Sequence, residues 1–296
     1  MRFTTWEDYE LIDVSRGKRL ERWGDKILIR PDPQVIWNSD ERDYRWKNKN
    51  AVYHRSNKGG GHWETTETEL EGESWIVKYK KLSFQIKMMN FKHTGVFPEQ
   101  AVNWDLLEDL IKNSKKQLNI LNLFAYTGGA SLACAAAGAK VCHVDASKGM
   151  VAWARENSKL SGLSASPIRW IVEDCEKFVL REIKRGNKYD GIIMDPPSYG
   201  RGPKGEVWKI EENLFPFVKL CESLLSEDAR FFIINSYSAG LAPSVMSFIL
   251  HEGVAKNRGG TINSDEIGIP VSSSKFIMPA GNTAIWTPKD LNLRFW

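Results

Sequence analysis

The stretch Leu118-Asn-Ile-Leu-Asn-Leu-Phe-Ala-Tyr-Thr-Gly-Gly-Ala-Ser131 decides the fold. Residues 118–124 form an apolar run of strand length, and Thr127-Gly-Gly129 breaks it before a small-residue helix over 130–137. Moving toward the C-terminus, 140–144 predicts a strand and 147–161 a helix. A strand over 168–172, a helix over 175–184 and a strand over 189–194 continue the alternation. Moving outward again, 104–116 has helical periodicity, 212–225 reads as a helix and 230–235 as a strand, and Thr283-Ala-Ile-Trp286 supplies an edge strand. Strands alternating with helices of this length build βαβ units on a mostly parallel sheet. Right-handed crossovers then place helices on both faces. The expected fold class is α/β: an open, doubly wound sheet.

The first 90 residues have a different texture. Lys26–Arg30, Ala51–Tyr53, Ser74–Tyr79 and Leu82–Ile86 read as short strands, separated by breakers such as Pro31-Asp-Pro33 and the glycine run before His62. Six of the twelve tryptophans (Trp6, Trp23, Trp37, Trp46, Trp63, Trp75) lie here. Such aromatic weight suits a small β-rich unit that builds its core from few large side chains. The expected division is therefore a β-rich domain over 1–90, a candidate substrate-recognition unit, and an α/β domain over 91–296.

Composition excludes several classes. The 296 residues carry 41 basic and 37 acidic side chains, a net charge of only +4. No apolar stretch approaches the roughly 20 residues of a membrane span. The start, MRFTTWEDYE, is not a secretory signal, and a cytoplasmic, reducing location is the expectation. Four scattered cysteines (Cys134, Cys142, Cys175, Cys221) suit neither a disulfide framework nor a zinc site, so no metal is expected. His143 reads as core, and His93 as a residue held by a local hydrogen bond rather than one in contact with a ligand, the other reading open to it.

In open α/β sheets ligands bind beyond the carboxyl ends of the strands. The Gly128-Gly129 turn lets backbone approach a ligand, or simply serves tight packing. Asp145, at the end of the second strand, is placed for ribose hydroxyls or for a helix N-cap, a part Ser147 also suits. Asp174 fits an adenine amino group or another cap. Asp195-Pro-Pro-Ser-Tyr199 ends the fourth strand. Two prolines stiffen that corner and remove two N–H donors, so carbonyls are left to face a planar group bearing amino donors. The turn lacks the full G-x-G-x-x-G of nicotinamide enzymes, which makes an oxidoreductase a distant reading.

The ordered set Asn122-Leu-Phe-Ala-Tyr-Thr-Gly-Gly129, Val144-Asp145, Glu173-Asp174 and Asp195-Pro-Pro-Ser-Tyr199 resembles the class I S-adenosylmethionine-dependent methyltransferases. More narrowly it resembles their large-subunit ribosomal RNA branch, whose Gly-aromatic-acid-Gln element looks like Gly95 to Gln100. The resemblance implies a seven-stranded sheet and S-adenosylmethionine as cofactor. It implies that Ala125, Tyr126, Thr127, Gly128 and Gly129 line the methionine end, and that Asp145, with Ala146 and Ser147 beside it, takes the ribose. Asp174 would take the adenine, Phe97 and Gln100 would flank the cofactor, and Asp195 and Pro196 would face the transferable methyl.

Relatives that methylate cytosine C5 need a cysteine nucleophile after the fifth strand. Here Asn235-Ser-Tyr-Ser238 puts Tyr237 at that place, and a phenol is a poor substitute for a thiolate at neutral pH. The expectation is a base nitrogen or other non-C5 acceptor, held by Asp195 and the Pro196 carbonyl and stacked on Tyr199. RNA, ribosomal by resemblance, is the expected substrate. Contacts are expected from the basic-aromatic run 42–58, with Arg45, Trp46 and Lys47, and from Arg201, Lys204 and Trp208. The alternatives are a small-molecule or protein methyltransferase, or a non-catalytic protein that binds S-adenosylmethionine. Charges of the 42–58 run pairing with the acids of 64–73 is the competing structural explanation for that run.

Overall fold

A computed structural model describes the chain except residues 57–59, 67–71, 202–206, 239, 292 and 294–296. Lys58, Lys204 and the acids Glu67, Glu69 and Glu71 thus lie outside the described residues. The chain divides into two compact units: 3–101 with 268–278, and 1–2 with 102–267 and 279–296. A border at residue 90 falls inside the former.

In the first unit, β1 (Tyr9–Ser15), β2 (Lys18–Trp23), β3 (Lys26–Pro31), β4 (Ala51–Arg55) and β5 (Gly61–Thr65) form one sheet in that order, and β6 (Ser74–Tyr79) and β7 (Leu82–Lys87) pair as a hairpin. Arg16 and Gly17, both at positive φ, join β1 to β2 in the two-residue turn that matches strand twist. Tryptophans do build this core. Trp23 is fully buried, and the indoles of Trp46, Trp63 and Trp75 donate to Asp13, to the Met89 carbonyl and to the Trp23 carbonyl. Strands β1, β2 and β5 were not expected. In β2, Lys-Arg-Leu-Glu-Arg-Trp, charge hides the pattern because Glu21 is itself buried, receiving both Nε and Nη2 of Arg30 at 2.6 and 2.8 Å and the Tyr9 hydroxyl at 2.8 Å.

In the second unit, α1 (Ala101–Lys112) leads into β8 (Asn119–Leu123), α2 (Gly129–Ala136), β9 (Lys140–Asp145), α3 (Lys148–Leu160), β10 (Ile168–Val172), α4 (Cys175–Lys184) and β11 (Gly191–Met194). A small hairpin, β12 (Tyr199–Arg201) with β13 (Val207–Lys209), precedes α5 (Ile210–Glu222), β14 (Phe231–Ser236), α6 (Pro243–Leu250), α7 (Lys256–Arg258), β15 (Thr261–Pro270) and β16 (Ile277–Thr287). The seven-stranded sheet has the order β10-β9-β8-β11-β14-β16-β15; β10, β9, β8, β11 and β14 run parallel, and β16 runs antiparallel to β14. Strand order reverses between β8 and β11, which opens the crevice where such sheets bind ligands.

Both faces of the sheet are covered, as expected. Leu121, Leu123, Ile192, Met194, Phe232 and Ile234 pack into one core with α4, α5 and α6. Ile120, Ile193, Phe231 and Ile233 pack into the other with α1 and α2. That alternation is the period of a strand buried on both sides.

Candidate active site

The turn after β8 is strained where the crevice opens. Phe124 and Tyr126 sit at φ 54° and 50°, a conformation side-chain-bearing residues seldom adopt, and Gly128 follows at 92°. Neighbouring strands hold this shape. The Ala125 N–H donates to the Val144 carbonyl (3.1 Å), the Phe124 N–H to the Cys175 thiol (3.3 Å), and the Tyr126 N–H to Asp145 Oδ2 (2.9 Å). Asn157 donates to the Thr127 carbonyl at 3.0 Å. Gly129 is needed for packing: a Cβ there would lie 2.4 Å from the Trp104 ring. The two glycines therefore serve different ends, one backbone geometry and the other close approach.

Asp145 is not the cap of α3; Ser147 is, accepting the Met150 N–H at 3.3 Å. The Asp145 carboxylate instead receives Tyr126 and Ser147 N–H groups, one on each oxygen. Burial raises its pKa above the ordinary 3.8, and those two backbone donors only partly offset it. A carboxylate has about four acceptor positions. Two further donors, such as the hydroxyls of a ribose, therefore fit its chemistry. Asp174 caps α4 by accepting the Lys177 N–H at 3.0 Å. Glu173 beside it forms an ion pair with Arg181.

Asp195, Pro196 and Pro197 follow β11. The expectation that carbonyls here face the crevice needs correction at Pro197, whose carbonyl accepts the Trp208 indole N–H at 2.7 Å. The Ser198 carbonyl accepts the Ile210 N–H at 3.1 Å. Among the described residues no donor reaches the carbonyl of buried Pro196. Tyr199 begins β12 opposite Lys209, with its ring half exposed. The hydroxyl of Ser238 donates to that of Ser198 at 2.6 Å, a bond that left no signal in the sequence because it joins residues 40 positions apart.

One expected RNA contact, Trp46, is corrected, and a second, Trp208, proves half-buried. Trp46 is only 9% exposed and donates to Asp13 Oδ2 at 2.8 Å, because the short helical turn 44–46 points it inward. Trp208 packs against Phe124 and Phe217, with ring centroids 5.2 and 5.8 Å away, because the β12–β13 register turns it toward that core. Arg45 is bound by Asp43 through two hydrogen bonds and lies 3.6 Å from Glu10. Lys47 is exposed, and so is Tyr44, at 70%. The Arg201 and Lys204 side chains lie outside the described residues. The acids that Arg45 finds are Asp43 and Glu10; the stretch 64–73 contributes Glu64, paired with His54 at 2.7 Å.

All four cysteines are buried, and burial pushes every thiol up, Cys142 to about 11. His143 is core, as expected, held at about 3 by burial, with Nδ1 3.0 Å from Ser131 Oγ. His93 is likewise pushed down to about 3 by burial, and its ring lies 5.1 Å from that of Phe97. Phe97 and Gln100 belong to the first unit. Among the described residues no group of three His, Cys, Asp or Glu side chains is placed to hold a metal, and no helix is long and apolar enough to cross a membrane.

A doubly wound sheet with a strained, glycine-bearing turn and an acid at the next strand tip defines a nucleoside-cofactor enzyme. The family follows from comparison. A profile of the S-adenosylmethionine-dependent methyltransferase family matches residues 48–242, and the chain belongs to that family. The solved structure of an S-adenosylmethionine-dependent methyltransferase from Agrobacterium tumefaciens is 38% identical, with a TM-score of 0.89 over 95% of this chain and 91% of that one. A methyltransferase structure from Streptococcus mutans shares the fold at 20% identity, TM-score 0.71, over 96% of this chain and 76% of that one. The ribosomal RNA large-subunit methyltransferase K/L of Shewanella frigidimarina is 32% identical over 155 residues, 52% of this chain and 21% of that protein. Its namesake in Cellvibrio japonicus is 28% identical over 184 residues, 62% of this chain and 24% of that protein. The chain thus spans about a fifth to a quarter of the length of these curated relatives.

Proposed function

We propose that this methyltransferase transfers the methyl group to ribosomal RNA, on a base nitrogen or another acceptor that needs no cysteine nucleophile. The observation that carries this reading is the corner after β11, where the Pro196 carbonyl meets no donor among the described residues while those of Pro197 and Ser198 are taken. S-adenosylmethionine bound in the crevice supplies an activated methyl group. Asp145 holds the ribose hydroxyls, Asp174 lies toward the adenine, and residues 125–129, with Ala146 and Ser147 beside them, border the cofactor. Asp195 and the Pro196 carbonyl accept hydrogen bonds from the acceptor N–H groups, which fixes the nitrogen in line for attack. Tyr199 offers its exposed ring for stacking.

The names of the curated relatives support RNA as substrate, and a ribosomal substrate implies a cytoplasmic location. Among the described residues of the basic-aromatic run, the exposed arginine, lysine and tyrosine side chains left to meet it are Arg42, Tyr44, Lys47 and Arg55. The four buried thiols support a route without a covalent base adduct. In the test, Asp195→Ala retains cofactor binding by calorimetry and loses methyl transfer to RNA. Lost binding, or intact transfer, contradicts the role given to Asp195. A covalent enzyme–RNA adduct formed by the unmutated chain on RNA carrying 5-fluorocytidine contradicts the non-covalent route.

A further inference from the structure

The corner after β11 is gripped from β14. The hydroxyl of Ser238 donates to the hydroxyl of Ser198 at 2.6 Å. Ser238 is buried, and its backbone N–H donates to Ser236 Oγ at 3.1 Å, so its backbone is held by the strand end. A serine hydroxyl carries one proton and two acceptor positions. Because Ser198 Oγ receives the Ser238 proton, its own proton points elsewhere. Ser198 is exposed, and among the described residues that proton meets no acceptor. Asp195 and Pro196, acceptor-bearing, lie on the same short turn. One donor and a set of acceptors thus share the corner.

We propose that Ser238 is a positioning residue that makes Ser198 a hydrogen-bond donor to the substrate, so that the corner selects a planar edge on which an N–H lies beside a hydrogen-bond acceptor. This rests on the reading of the corner as the methyl-acceptor site. An edge carrying donors alone leaves the Ser198 proton without a partner, and an edge carrying acceptors alone leaves Asp195 and Pro196 opposed to lone pairs. An amide-like or amidine-like nucleobase edge satisfies both. Ser238 itself touches neither substrate nor cofactor.

The experiment is a double-mutant cycle on the full chain, using ribosomal RNA isolated from cells that lack the gene and tritium-labelled cofactor at saturation. Ser198→Ala is expected to slow transfer about tenfold, the effect of one lost neutral hydrogen bond in the transition state. Ser238→Ala is expected to slow it by a smaller factor, and to have no further effect once Ser198 is alanine. Ser238→Thr, which keeps the hydroxyl, retains most of the rate, while cofactor affinity stays at the wild-type value in all the variants and each variant is confirmed folded by its cooperative thermal transition. If Ser238→Ala slows the Ser198→Ala enzyme by the same factor as it slows the wild type, or if neither single variant changes the rate, the proposal is overturned. A wild-type enzyme that transfers nothing to that RNA overturns the underlying functional reading instead, and the control shows this before any variant is compared.

Discussion

Asp145, at the tip of β9, accepts the backbone N–H of Tyr126 from the turn after β8 at 2.9 Å. One carboxylate thereby holds a strained turn and remains available to hydroxyl donors. Asp145→Asn should weaken S-adenosylmethionine binding about tenfold to a hundredfold, the range for a lost hydrogen bond to a charged group, as read by calorimetry. The pH dependence has a definite sign. A carboxyl whose folded pKa lies above its unfolded value costs stability once it ionises above the ordinary 3.8, and a diol donating to the ionised form offsets that cost. Cofactor affinity should therefore fall as pH drops through the raised value, at milder acidity than for an exposed aspartate.

Gly129→Ala forces a Cβ to 2.4 Å from the Trp104 ring. Overpacking of this kind costs about 1–3 kcal/mol. Calorimetric Tm should fall by several degrees. An unchanged Tm would show that Trp104 yields easily and that the glycine is there for another reason.

Glu21 and Arg30 form a buried pair in the first unit. Burial opposes ionisation of Glu21, but the attraction and hydrogen bonds of Arg30 outweigh it and hold the pKa below 4.5. A depressed carboxyl stabilises above its unfolded value, so this contribution is present at neutral pH and lost as pH falls from about 4.5 through the folded value. Glu21→Ala should cost about 3–5 kcal/mol by leaving Arg30 unpaired, read as loss of near-ultraviolet tryptophan signal at lower denaturant.

Tyr44 and Trp46 separate surface from core within one short turn. Trp46→Ala should cost about 3–5 kcal/mol of stability. Tyr44→Ala should change stability by less than about 0.5 kcal/mol. The same Tyr44 change should weaken RNA binding by about 1–3 kcal/mol in a filter-binding titration. Equal RNA affinity in the Tyr44 variant removes this turn from the RNA surface.

The alternation of strands and helices over 118–235 was legible because the strands of the main sheet there are mostly apolar and most of their turns carry glycine, proline or a capping side chain, whereas the hairpin of β12 (Tyr-Gly-Arg) and β13 (Val-Trp-Lys) was read as loop. Helix 175–184 came out with the ends the sequence suggested. Strand β2 was not legible, because a charge buried by its partner looks like a charge in water. The core position of Trp46 was hidden for a related reason: composition alone shows a basic-aromatic surface, and only the fold shows which ring turns inward. Helix α6 and strand β15 were not read, although Pro243 opens the helix and Gly259-Gly260 precede the strand, because β15 (Thr-Ile-Asn-Ser-Asp-Glu-Ile-Gly-Ile-Pro) mixes polar and charged residues with few apolar ones. Of the candidate site, Asp145, Asp195 and the Gly128-Gly129 turn were visible as residues at strand ends, whereas the Ser198–Ser238 bond required β11 and β14 to be neighbours.

The most direct measurement is transfer of labelled methyl from S-adenosylmethionine to ribosomal RNA taken from cells lacking the gene, followed by mass spectrometry of the nucleosides. The account predicts one methylated nucleoside, modified at a position other than cytosine C5, that is absent from the untreated RNA and present in RNA from wild-type cells. A nucleoside profile identical with and without the gene, and no label incorporated in vitro, would contradict it.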